Sequence, residues 1–243
     1  ETDLTEIEAF KNAKRQHCKF KEGDFFAYKI GRRKWGFGRI LIDVSKLRKM
    51  ESFKQNKNYG LDNLMGKALI VKVYHKISDT LDIDLDELAN CMALPPQAIM
   101  DNHFYYGENV IIGYKELKTS EYDEPLISYS RSICSRELEL VYLQYGLIYK
   151  ETTISKFKKY LTGEQKEYGL EPNPYRNESI GYGLYLENLE QCIAQKSNAP
   201  FWNGTHYILK NDLRNPKNIK VKREIFNFFG LDADKSYEEN LKK

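Results

Sequence analysis

Two short apolar and aromatic runs, Phe25 to Ile30 and Trp35 to Ile42, flank a polar tip of Gly31, Arg32, Arg33 and Lys34. Runs of this length suit strands, and a short tip with a glycine for positive φ closes an antiparallel hairpin. In the second strand Gly36 and Gly38 fall on one face, while Trp35, Phe37 and the stem of Arg39 project from the other. Glycine weakens a strand unless the space is needed. Two uses of that bare face are open. One is a sharply coiled strand or close packing of another backbone; the other is a groove floor for a ligand or partner segment.

Upstream, Thr5-x-x-Glu8 is a capping-box pattern ahead of Ile7, Phe10 and Ala13, which predicts a helix over residues 3–16. Downstream, residues 45–66 are polar and lysine-rich, a long excursion with a helical turn or two. The run 68–75, ALIVKVYH, is the best candidate for a central strand. Asp84 is placed to cap a helix reaching about Cys91, after which Pro95-Pro96 stops regular structure. Further strands are predicted over 109–117, with a bulge at Gly113, over 126–133 and over 136–149. After Tyr149 the period becomes helical. Thr153 caps a helix bearing Ile154, Phe157 and Leu161; Tyr182, Leu186, Leu189 and Ile193 share the face of a second helix. A third runs 222–229, with Phe228 and Phe229 as core, and is closed by Gly230.

The pattern predicts an α+β protein: a small curved antiparallel sheet or SH3-like, partly open barrel, with a helix-rich C-terminal part. The expected division is a β-rich unit over 1–149, including the N-terminal helix, and a helical extension over 150–243 packed on it, the two forming one compact domain or separate ones.

Composition narrows the classes. With 243 residues, 41% hydrophobic and 30% charged, the chain has the material for a sizeable core and is not of disordered type. A net charge of +3 is too small to argue for nucleic acid by itself. Cys18, Cys91, Cys134 and Cys192 are widely spaced without a C-x-x-C pair, so they read as small buried hydrophobes in a reducing compartment. No stretch approaches the roughly 20 apolar residues of a membrane span. Glu1 in place of a starting Met admits a removed leader.

His17, His75, His103 and His206 form no metal-ligand spacing; His75 with Asp79 and His103 with Asp101 are the nearest local pairs. No nucleophile elbow, Walker loop or dinucleotide fingerprint occurs, so neither a catalytic residue nor a cofactor or metal ligand is assigned. Two charge features remain. Asp79, Asp82, Asp84, Asp86 and Glu87 put five carboxylates in nine residues around Leu81, Ile83 and Leu85. They read as a helix cap and solvated loop, or as an acidic face that speeds association with a basic partner. Arg32, Arg33 and Lys34, with Lys46, Arg48 and Lys49 beyond, read as a solvated basic turn that discourages edge pairing, or as a contact for phosphate or an acidic partner.

The hairpin, the buried strand and NVIIGYKEL over 109–117 together resemble immunity protein family 26 of bacterial polymorphic toxin systems. The resemblance rests on a Gly-Asp-aromatic opening, here Gly23, Asp24 and Phe25, and on an aromatic-Gly-Arg triplet, here Phe37, Gly38 and Arg39, preceded by Gly36. It extends over about residues 20–117. It implies a cytoplasmic protein that binds and neutralises a cognate toxin. With no catalytic spacing in the chain the leading expectation is a non-catalytic one, and the charged patches supply the candidate contacts, Asp79, Asp82, Asp84, Asp86, Glu87, Arg32, Arg33, Lys34 and the adjoining Trp35. The same family grouping carries a phosphotriesterase label, so a phosphotriesterase-like hydrolase is one alternative. A nucleic-acid-binding β-barrel using the basic tip is the other.

Overall fold

The computed structural model describes residues 18–47, 49–50, 68–94, 96–122, 126–130, 140–153, 156, 161–162, 173–174, 186–194, 213 and 216–242. The expected N-terminal helix, Arg48 and most of the lysine-rich excursion lie outside these residues. Five antiparallel strands form the main sheet: β1 (Asp24–Gly31), β2 (Lys34–Asp43), β3 (Ala68–Ser78), β4 (Gln97–Met100) and β5 (Asn109–Tyr114). Their order is β4-β3-β2-β1-β5, an open sheet and not a closed barrel, and with the helices it makes the chain α+β. The hairpin is present, but Gly31 does not have positive φ; the methyl of Leu186 lies 3.4 Å from where its Cβ would be.

The pairing of β1 with β2 accounts for the two strand glycines. Phe26 lies opposite Gly38 and Tyr28 opposite Gly36. A Cβ on Gly36 would come within 2.4 Å of the Tyr28 ring; one on Gly38 would meet the Phe26 ring at 2.4 Å and the Lys72 carbonyl at 2.8 Å. The bare face is therefore filled by the chain's own aromatics, and no groove floor is left there. On that side Phe26, Tyr28, Ile40, Val71 and Val73 form a core with Phe104 and with Leu189 and Cys192. The other face carries Phe25, Ala27, Phe37 and Tyr74, covered by Leu88.

The covering elements are short. After β2 a single turn, α1 (Val44–Leu47), buries Val44 and Leu47. Asp84 caps α2 (Leu85–Asn90), accepting from the backbone N–H groups of Asp86 (2.7 Å) and Glu87 (3.2 Å), as its position ahead of an apolar run predicts. Residues 97–105 hold β4 and α3 (Asn102–Tyr105), which sequence reasoning left irregular after the prolines. In β5 the pairing slips between Ile111 and Gly113, the predicted bulge.

A second, three-stranded sheet consists of β6 (Leu126–Ser130), β7 (Leu140–Tyr145) and β8 (Ile148–Thr153). The single strand expected through residue 149 is instead a hairpin, turned at Gly146 with φ +55°. Thr153 Oγ1 accepts from Lys156 N–H at 3.5 Å. Leu161, however, lies in β9 (Leu161–Thr162), paired with β10 (Asn173–Pro174), and not on a helix. α4 (Leu186–Ala194) matches the second predicted helix; Tyr182 lies outside the described residues. α5 (Ile219–Phe228) buries Ile225 and Phe226, with Phe229 buried beyond its end, whereas Phe228 is exposed and not core. A final helix, α6 (Tyr237–Leu241), opens with a Ser236/Glu239 capping box.

The 149/150 boundary is crossed by packing in both directions. Leu189 and Cys192 of α4 are fully buried in the first sheet's core, and Leu143 and Tyr145 of β7 pack with Ile225 and Phe226 of α5. Gly38→Ala is expected to cost about 1–3 kcal/mol by overpacking. Part of that loss should return in a Phe26→Leu background, where the ring is gone. Urea denaturation of the four proteins checks this; equal losses in both backgrounds would show that the ring is not the obstacle.

Candidate binding surface

The motif residues form one buried assembly. Gly23, at φ +91°, donates its N–H to Ile40 O (2.8 Å), while its carbonyl accepts from Lys115 N–H (3.2 Å). No Cβ fits, because it would lie 2.5 Å from the Lys115 carbonyl. Asp24 accepts from Lys21 N–H through Oδ2 (2.8 Å), closing the turn, and burial raises its carboxyl pKa above the ordinary value. Phe25 stacks on Tyr74, centroids 6.1 Å apart, and the Arg39 guanidinium lies over the Phe25 ring at 4.5 Å.

Arg39 is the most consequential member. Its side chain is 3% exposed and pairs with Glu121 Oε1 at 2.5 Å. It also donates from Nη2 to the carbonyls of Lys115 (2.8 Å) and Glu116 (3.1 Å). Burial pushes the Tyr74 hydroxyl up to about 12, with the nearby Arg39 opposing the shift. Glu121 sits in a 3₁₀ turn, Thr119–Tyr122, whose Tyr122 hydroxyl donates to Leu41 O (3.2 Å) while its ring packs against Tyr237 (5.3 Å). Phe37, Gly38 and Arg39 are therefore interior residues.

The charged candidates divide differently from their order in the chain. Asp84 is taken up by the α2 cap, which holds its carboxyl below the ordinary value. Asp86 pairs with Lys115, and Glu87 with Lys76 at 3.1 Å. Lys34 is bound to Glu190 of α4 at 2.8 Å. Trp35 is half-buried under Lys29, whose Nζ lies 4.0 Å from the ring. Arg32, Arg33, Asp79 and Asp82 are exposed, and among the described residues none of the four has an ion-pair partner.

Sheet topology gathers these four at one end. Trp35 pairs with Ser78, so the β1–β2 tip and the acidic loop leaving β3 are neighbours. Between them and α4 lies an open groove of about 780 Å³, whose lining includes Lys34, His75, Ile77, Asp79, Ile83 and Ile193. Sequence reasoning missed this groove, because Glu190 and Ile193 come from a helix more than 100 residues away. His75 and Asp79 do share it, and burial lowers the His75 pKa so that the ring is neutral at pH 7. His103 pairs with Glu108, not with Asp101. Among the described residues no three His, Cys, Asp or Glu side chains converge to hold a metal ion, and no helix is long and apolar enough to cross a membrane.

Residues 21–137 match the family model of Immunity protein 26. Over these residues the chain is similar to the Immunity protein 26 family. The Immunity protein 26 match takes in the five-stranded sheet, the Arg39–Glu121 pair and β6, and stops before β7. Comparison with curated proteins and with solved structures gives no match.

Two outcomes test the assignment of structural roles within the Immunity protein 26 region. Arg39→Met is expected to cost about 3–5 kcal/mol, because it leaves the part-buried Glu121 carboxylate without its partner. Adding Glu121→Gln should recover part of the loss, as a double-mutant cycle by urea unfolding will show; simple additivity would count against the pair. Asp84→Ala is expected to melt below wild type at neutral pH. The lowered carboxyl pKa makes the contribution of Asp84 present above the unfolded value of 3.8 and lost as the pH falls through its lowered pKa. The two melting curves should therefore converge in acid, and a constant gap across a pH series would refute the cap's role.

Proposed function

We propose that the chain is an immunity protein that binds and neutralises a cognate toxin domain without catalysing a reaction. The observation that carries this reading is the family match over the sheet that displays four charges with no ion-pair partner among the described residues. The support from geometry is the division of labour among charged residues. Arg39, Asp84, Asp86, Glu87 and Lys34 are committed to partners within the chain. Arg32, Arg33, Asp79 and Asp82 leave a polar rim at one end of the sheet, where electrostatic complementarity speeds encounter and sets orientation. In this reading neutralisation takes place in the cytoplasm.

Co-expression with the toxin domain encoded by the neighbouring gene tests the proposal. Restored growth and an equimolar complex on size exclusion are the expected results. Growth that stays arrested with both proteins present would overturn it.

A further inference from the structure

The geometry points to a directional docking groove for an extended toxin segment that has a basic end, an apolar middle and an acidic end. This inference rests on the toxin-binding reading and adds to it where the partner sits and which way it runs.

The argument begins with which charges around the groove are already neutralised. Lys34 and Glu190 pair across its wall, Lys76 pairs with Glu87, and the His75 ring is neutral at pH 7. Among the described residues Asp79 is left on the lining as a carboxylate without a cation, and Asp82 follows it on the exposed stretch leading to Ile83. The floor beside them is apolar, formed by Ile77, Ile83 and Ile193. An uncompensated carboxylate beside an apolar floor suits a long basic side chain, whose aliphatic stem covers the isoleucines while its head reaches the carboxylate.

The opposite polarity lies at the other end. Leu186, the first residue of α4, packs against Gly31 at the hairpin tip, whereas Ile193 and Ala194 at the end of the helix line the groove. The axis of α4 thus runs from the tip carrying Arg32 and Arg33 to the region of Asp79. A segment laid along it meets positive charge at one end and negative charge at the other. The reversed segment would place like charges together at both ends, which opposes that orientation. The groove volume of about 780 Å³ admits several side chains, so an extended segment can fill it.

The test uses the full chain and the neighbouring gene's toxin domain, with affinities measured by calorimetry. Wild type, Asp79→Lys/Asp82→Lys, Arg32→Glu/Arg33→Glu, Ile193→Lys and the control Lys49→Glu are compared, after thermal melts show each to be folded. Lys49 lies beyond the opposite end of β2 and is exposed. Each charge-reversed pair should weaken binding by on the order of tenfold or more, with Ile193→Lys also weakened and Lys49→Glu unchanged. If wild type binds and all groove variants bind at wild-type strength, the groove proposal fails while the immunity reading stands. If only one charged end matters, the directional claim fails. Should wild type itself not bind, the immunity reading fails and the groove proposal with it.

Discussion

A guanidinium taken out of water must find its hydrogen bonds elsewhere, and the way Arg39 does so organises the heart of this fold. It takes a carboxylate from a 3₁₀ turn, two carbonyls from the segment after β5, and the face of Phe25. The backbone of Lys115 is thereby held on both sides, its N–H by the Gly23 carbonyl and its own carbonyl by Arg39. Gly-Asp-aromatic and aromatic-Gly-Arg, which are separate short motifs in the chain, are two sides of this one arrangement. The net worth of a buried ion pair is modest, but losing one partner is costly, so such an assembly acts more as a constraint on geometry than as a reservoir of stability.

The same arrangement connects the sheet to the C-terminal elements. Glu121 and Tyr122 are adjacent, so the turn that neutralises Arg39 also places a ring between two hydrophobic clusters, one around Leu41 and Ile42 and one around Tyr145, Phe226 and Tyr237. Tyr237 in turn accepts from Leu147 N–H at 3.1 Å, and its ring leaves no room for a Cβ at Gly146. The position of α6 is thus tied to the β7–β8 turn and, through Tyr122, to the sheet.

Local chemistry made the main elements legible. The hairpin, β3, the Asp84 cap, the β5 bulge and the apolar stripe of α4 all follow from period, propensity and capping. Failures had local causes too. Gly146 was read as a strand interior although it turns a hairpin, and the Ser236-x-x-Glu239 box that announces α6 went unused. The short β4 had no signal, since its four residues follow two prolines and draw their order from β3. Charge was least legible of all. Five neighbouring carboxylates look alike in sequence, yet one caps a helix, two find lysines and two have no ion-pair partner among the described residues. That sorting depends on Lys76, Lys115 and the course of β3. Lys34 looked like part of a free basic tip because its partner, Glu190, lies 156 positions away.

The alternation of Phe26 and Tyr28 against Gly38 and Gly36 has a consequence for strand alignment. Sliding β2 by two positions keeps its faces but brings Phe26 opposite Ile40 in one direction, or Tyr28 opposite Lys34 in the other, where no glycine receives the ring. A one-position slide turns the apolar faces inside out. Bulky rings and empty positions therefore work as a key and its wards, admitting one alignment of the first two strands and rejecting its near neighbours.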